Sequence, residues 1–147
     1  MEDKKYEVLK LENQLCFPLY ASSREVIKRY KPFLDEINLT YTQYITMMVL
    51  WERRQVNVKE LGECLRLDSA TLTPLLKKME SKGLVTRQRS DKDERNLIVT
   101  ITEKGLALRE KAVDIPAKIA SCTGLNHEEG VTLYMLLHKL IGENTEE

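Results

Sequence analysis

No apolar run in the chain approaches the roughly 18–20 residues that a membrane-spanning helix needs. The first ten residues, MEDKKYEVLK, lack an apolar core and a small-residue cleavage site, so export is not expected. Cysteine is scarce, with three residues (Cys16, Cys64, Cys122) that are odd in number and widely spaced. That spacing argues against a secreted disulfide framework and for the reducing cytoplasm. The sequon at Asn38-Leu39-Thr40 is accordingly read as accidental. HExxH, phosphate-loop, GxGxxG and CxxC motifs are all missing, which leaves little for an enzyme to work with. The two histidines, His127 and His138, fall about three turns apart on one predicted helix with no third ligand, a poor metal site. Neither a cofactor nor a metal is expected. Repeats and low-complexity segments are lacking too.

Net charge is likewise lacking: 23 basic residues balance 23 acidic ones. This excludes a strongly basic nucleic-acid binder but not a segregated one. Between Lys77 and Arg95 the chain carries +3, and the remainder −3. A local basic surface suits a partner contacted over a small footprint. With 147 residues, 42% hydrophobic and 31% charged, the composition is that of one ordinary globular domain.

Cap signals divide the chain. Thr40-Tyr41-Thr42-Gln43 fits a capping box and predicts a helix over about 41–53. Asn57 opens a short helix to about Leu65, with Val58, Leu61 and Leu65 on one face and Cys64 expected in the core beside them. Asp68-Ser69 caps a third, about 69–82, stopped by Gly83, with Pro74 near its first turns. LVTRQR and NLIVTIT alternate apolar and polar residues and predict a β-hairpin with SDKDER at its tip. Thr102 caps a helix over about 103–122 that Pro116 should kink or interrupt, and Asn126 with Glu129 opens a last one, about 127–143. Residues 11–37 carry apolar side chains at helical spacing. In the last helix apolar residues cover more than one face, so it wants a partner on two sides, which suggests a second copy of the chain.

The expected fold is therefore mainly α with a small β-hairpin: a winged helix-turn-helix with a flanking helical dimerisation region. Such a plan projects the N-terminal residues of its second helix into the DNA major groove. Here those are Ser69, Thr71 and Thr73, with Lys77 placed for phosphate. Arg87 and Arg89 can reach phosphate, Arg95 suits a minor groove, and Asp93 lies two residues away to orient it.

The stretch LGECLRLDSATLTPLLKKMESKGLVTRQRSDKDERNLIVTITEKG resembles the DNA-binding lobe of the MarR family of transcription regulators, its D-x-R wing signature met by Asp93-Glu94-Arg95. The likeness runs over about 10–143. LCFPLY, YKPFLDEINLTYTQY, LDSATLTPLLKK and KAVDIP resemble the OhrR branch, which senses organic hydroperoxides through an N-terminal cysteine. The resemblance implies one domain over 1–147, with a DNA-binding lobe at about 41–102 and dimerisation elements at about 10–40 and 103–143. It also implies a homodimeric repressor on a pseudo-palindromic operator, released when a hydroperoxide oxidises Cys16. Tyr30 and Tyr41 match two tyrosines of the partner subunit that hydrogen-bond the sensor thiol, and donors aimed at a thiolate favour it. Cys122 lies where one subgroup carries a resolving thiol; the alternative is a small external thiol. Proline at Pro18, where the branch usually has an apolar residue, makes the helix around Cys16 start late or bend. Ala70 replaces a usual glycine at the reading edge. A second reading keeps the DNA-binding half and replaces the input with a non-covalent ligand in the cleft between the two regions. An enzyme such as a thiol peroxidase, and a winged helix used only for protein contacts, are the remaining rivals.

Overall fold

The computed structural model describes residues 2–90 and 93–142, with the side chains of Glu2 and of residues 93–96 outside the description. It divides into two compact units, Met1–Val113 and Asp114–Glu147.

In the first unit a short helix α1 (Glu2–Tyr6) and two single 3-10 turns precede α2 (Cys16–Asp35). Asn13 Nδ2 donates to Glu7 O at 2.7 Å, and Gln14 Nε2 donates to Val8 O and Lys10 O at 2.7 and 2.8 Å. These bonds tie the leading turns to the start of α2. Of the two outcomes expected around Pro18, the late start is seen: α2 begins at Cys16, so the proline falls in its first turn. The first four N–H groups of a helix have no internal acceptor, so a proline three residues in sacrifices nothing. Gln14, whose carbonyl the ring would otherwise meet, is extended (φ −96, ψ 123).

Next come α3 (Tyr41–Arg53), β1 (Gln55–Asn57), α4 (Val58–Leu65), α5 (Ser69–Ser81), β2 (Val85–Ser90), β3 (Asp93–Ile101) and α6 (Glu103–Ala112). The anticipated caps form. Thr40 and Gln43 close a reciprocal box, and Asn57, Asp68 and Thr102 each accept from the backbone N–H three residues on. Substituting such a cap by alanine typically costs about 1 kcal/mol.

The sheet holds three strands in the order β1-β3-β2, not the two of a simple hairpin. Strand β1 pairs antiparallel with β3, Val56 opposite Val99, and both valines are buried. Three residues are too few to display an alternating pattern, so only pairing reveals them. Arg54, with φ 66, turns the chain out of α3, and its carbonyl accepts from Ile101 N at 3.0 Å. Between β2 and β3 the register shifts after Arg89↔Leu97, so that Ser90 faces Asp93. The expected tip residues Asp91 and Lys92 lie outside the described residues.

The core of this unit joins Met47 and Leu50 of α3, Leu61 of α4, Leu72, Leu76 and Met79 of α5, and Val85 and Val99 of the sheet. Each fully buried leucine or methionine contributes about 1.5–3 kcal/mol. Cys64 corrects the sequence reading: it is exposed. At 3.6 residues per turn it falls about a quarter-turn from the middle of the stripe that Val58, Leu61 and Leu65 define. α6 packs closely because Gly105 has no side chain. A Cβ there would run into Leu84 O and lie 2.9 Å from Ile101 Cγ1, while Trp51 Nε1 donates to Gly105 O at 2.9 Å.

The second unit holds α7 (Ile115–Cys122) and α8 (His127–Leu140). The single helix expected over 103–122 is interrupted, as Pro116 allows, with the break at Val113–Asp114 and the proline in the first turn of α7. Asn126 and Glu129 close the second capping box, and no residue of α8 is buried. Among the described residues no helix is long and apolar enough to cross a membrane.

Gly105→Ala is expected to lower unfolding free energy by about 1–3 kcal/mol through overpacking. Urea denaturation checks it, and an unchanged midpoint contradicts the close packing of α6.

Candidate functional site

Helix α5 is two-faced. Leu72, Leu75, Leu76 and Met79 are buried, while Ser69, Thr71, Thr73 and Lys77 are all exposed. Its N-terminus is held by Asp68, whose Oδ1 accepts from Thr71 N at 2.7 Å. Bonds from Thr71, side chain first and then backbone, hold the Asp68 carboxyl below its ordinary 3.8. Thr73 Oγ1 donates to Ser69 O at 2.8 Å, which orients that hydroxyl along the exposed edge. A polar, capped helix N-terminus beside a basic hairpin is an arrangement that can meet a groove and its phosphates.

On β2 the two arginines differ. Arg89 is exposed. Arg87 is pinned by Glu80 of α5: its N–H donates to Glu80 Oε2 at 3.0 Å and its Nη2 to Oε1 at 3.1 Å, leaving the side chain 19% exposed. The side-chain bond from Arg87 is the main reason the Glu80 carboxyl lies below its ordinary 4.5. Both lowered carboxylates therefore favour the folded chain above the ordinary carboxylate range, and that contribution is lost as pH falls through their lowered values. Asp93 and Arg95 have backbone in β3, and their side chains lie outside the described residues.

Cys16 is the first residue of α2 and is exposed. Tyr30 lies fourteen residues on along the same helix. At 1.5 Å per residue that is about 21 Å away. The two expected tyrosines do come together, with Tyr30 and Tyr41 rings 5.1 Å apart. A third ring that the sequence reading did not single out, Tyr44, stands 5.7 Å from Tyr30 and 6.4 Å from Tyr41, and Trp51 meets Tyr44 edge-on at 6.3 Å. The spacing of Tyr41 and Tyr44, three residues apart on one helix face, was the available signal. Burial raises all three phenols above 10.0, and for Tyr30 the charges of Tyr41 and Tyr44 add to it. They thus stay protonated donors at neutral pH. Cys122 closes α7 in the second unit as an exposed thiol.

Known proteins resemble this chain in sequence and fold. Residues 28–112 match the family described as transcriptional regulator SarA/Rot. The organic hydroperoxide resistance transcriptional regulator of Bacillus subtilis (strain 168) is 54% identical over 134 residues, 91% of this chain and 89% of that protein. Among solved structures, reduced AbfR bound to DNA is 36% identical with a TM-score of 0.77, over 93% of this chain and 96% of that one. The disulfide-formed structure of AbfR, a protein of Staphylococcus epidermidis, is 35% identical with a TM-score of 0.66, over 96% and 99%. Three-stranded wing, polar helix edge and these matches define a winged-helix transcription regulator, not an enzyme. Within that class the chain belongs to the MarR family, in its organic hydroperoxide regulator (OhrR) branch.

Raised phenol pKa values mean that the folded chain holds protons the unfolded chain has lost, so stability falls as pH climbs past 10.0 and through the folded values. Tyr30→Phe and Tyr41→Phe should each remove a late component of the phenolate absorbance titration. Wild-type titration in one step at the ordinary phenol value contradicts the buried cluster.

Proposed function

We propose that this chain is a homodimeric, cytoplasmic repressor that binds a pseudo-palindromic operator and releases it when an organic hydroperoxide oxidises Cys16. One observation carries the reading: the exposed thiol starts α2 while the paired phenols of Tyr30 and Tyr41 sit about 21 Å further along it. That separation rules out contact within one chain, so a thiol–phenol site needs a second copy. Large apolar side chains at the surface suit such a copy: Phe17 and Tyr20 on α2, and Leu133, Met135, Leu136 and Leu140 on α8. The dimerisation elements are then about 10–40 and 103–143, and the DNA-binding lobe about 41–102.

Chemically, the thiolate of Cys16 attacks the terminal peroxide oxygen and the O–O bond breaks. Cys16 becomes a sulfenic acid, and the alkoxide leaves as the alcohol after taking a proton. A second thiol then attacks the sulfenic sulfur, expelling water and forming a disulfide. Cys122 of the partner subunit or a small external thiol fills this role, and the AbfR relative has been solved in a disulfide-formed state. A bulkier adduct displaces Tyr30 and Tyr41 of the partner subunit and moves the two reading helices apart.

Ser69, Thr71 and Thr73 read the major groove, and Lys77, Arg89 and Arg95 hold phosphate or the minor groove, with Asp93 orienting Arg95. Arg87 serves first as the strap between α5 and β2. A cation that neutralises one phosphate releases about one counterion, so removing it makes binding less sensitive to salt by that amount. Arg89→Ala is therefore expected to weaken operator binding about equally on all sequences and to flatten its salt slope. An unaltered slope in an anisotropy titration contradicts the assignment.

The central test is operator affinity by fluorescence anisotropy before and after cumene hydroperoxide, with intact mass read without reductant. Wild type should release DNA and Cys16→Ser should stay bound, and the mass identifies the resolving thiol. Equal behaviour of the two overturns the thiol switch and turns attention to a ligand in the cleft.

A further inference from the structure

The reading helix is tied to the helix that carries the thiol by one side chain that the sequence shows only as surface charge. Lys82 caps the C-terminal end of α5 and is half-buried. Its Nζ donates to Asn38 O at 2.7 Å and to Gln43 Oε1 at 2.9 Å, across 44 and 39 residues of sequence. Asn38 belongs to the turn that joins α2 to α3, and Gln43 to the first turn of α3 itself. Asn38 occupies the left-handed conformation (φ 55), and Leu39 N donates back to Leu34 O at 3.1 Å, so the turn continues α2 rather than hanging from it. Gln43 is 2% exposed, and its Oε1 also accepts from Thr40 N at 3.1 Å to complete the cap of α3. An ammonium bonded to a buried amide oxygen makes a charge-assisted bond of roughly twice ordinary strength.

The same junction holds two further bonds. Lys104 Nζ donates to Lys82 O at 2.7 Å, and Thr102 Oγ1 donates to Gly83 O at 2.6 Å. These anchor the end of α5 to the start of α6 but leave the α2–α3 turn untouched. Lys82 thus links the reading helix to the turn at the far end of α2 from Cys16.

We propose that Lys82 is a positioning residue of the switch: its ammonium, held by Asn38 O and Gln43 Oε1, makes α5 follow α2. The inference rests on the thiol-switch reading of the preceding section. A shift of α2 caused by the Cys16 adduct drags the Asn38 turn and the start of α3, and through Nζ the C-terminal end of α5. Without the tether α5 follows only through the packed core it shares with α3, and less of the movement of α2 reaches it. Lys82 touches neither the peroxide nor the bases, so its effect is on coupling rather than on either event alone.

The test measures one ratio, operator Kd after oxidation over Kd before it, for wild type, Lys82→Met, Lys82→Gln and Lys104→Met. Intact mass confirms equal Cys16 oxidation, and circular dichroism confirms folding. Methionine keeps the length of the stem without the donors; glutamine is polar but too short to reach, and serves if methionine does not fold. Lys82→Met and Lys82→Gln should cut the ratio about tenfold, the scale of a typical coupling between sites. Their affinity when reduced should change far less, and Lys104→Met should keep the wild-type ratio. A wild-type ratio in both Lys82 variants overturns the proposal. So does an equal loss in Lys104→Met, which would mark a general loosening of the helix end. A wild-type protein that stays bound with Cys16 fully oxidised overturns the functional reading itself, and the coupling role with it, and that result is visible without any variant.

Discussion

A buried amide at Gln43 sets the terms for the first unit. Its oxygen is taken out of water, and an unpaired polar atom in that position costs about 1–3 kcal/mol. The two donors that satisfy it come from Thr40 N at the head of α3 and Lys82 Nζ at the tail of α5. Meeting both requires α2 to end in a tight left-handed turn and α5 to run its length before Gly83 (φ 77) redirects the chain into β2. From that point the rest of the lobe follows. Thr102 and Lys104 clip α6 to the same corner, and Gly105 lets α6 settle against Met47, Leu84 and Ile101.

In the proposed switch the chemistry is split between the two ends of α2. At one end an exposed thiol stands at the start of a helix. At the other, phenols gathered by burial resist ionisation and so remain donors. A thiolate and a neutral phenol are complementary partners, and one helix of 20 residues keeps them apart within a chain. The apolar side chains left at the surface of α2 and α8 give the same message from packing: the chain leaves unfinished surfaces for a copy of itself to complete. On α5, Glu80 draws Arg87 inward, so the wing is braced by an ion pair while Arg89 stays outside.

Much of the fold was legible because its signals are local. A cap is a bond between residues three apart, and Thr40, Asn57, Asp68, Thr102 and Asn126 were readable as such. Pro116 announced a break for the equally local reason that it has no N–H to donate. Cys64 misled because it neighbours Leu61 and Leu65 in sequence while the helix turns it outward. β1 was missed because three residues carry no period and are a strand only by pairing with β3. At the site, Cys16, Tyr30, Tyr41 and the α5 edge were named from the sequence, whereas Tyr44, the Glu80–Arg87 pair and Lys82 were not.

By itself, then, the sequence determined where most helices begin and stop and which face of α5 is polar, while the structure set the start of α2 at Cys16. Only the tertiary structure decided that Glu80 holds Arg87, how the phenols gather, and that α5 is bonded to the turn after α2. The physical reason is distance along the chain. Caps and periodicities act over three or four residues, where local geometry leaves few choices. The bonds of Lys82 join groups 39 and 44 residues apart, and only the packed core brings those groups within 3 Å of each other.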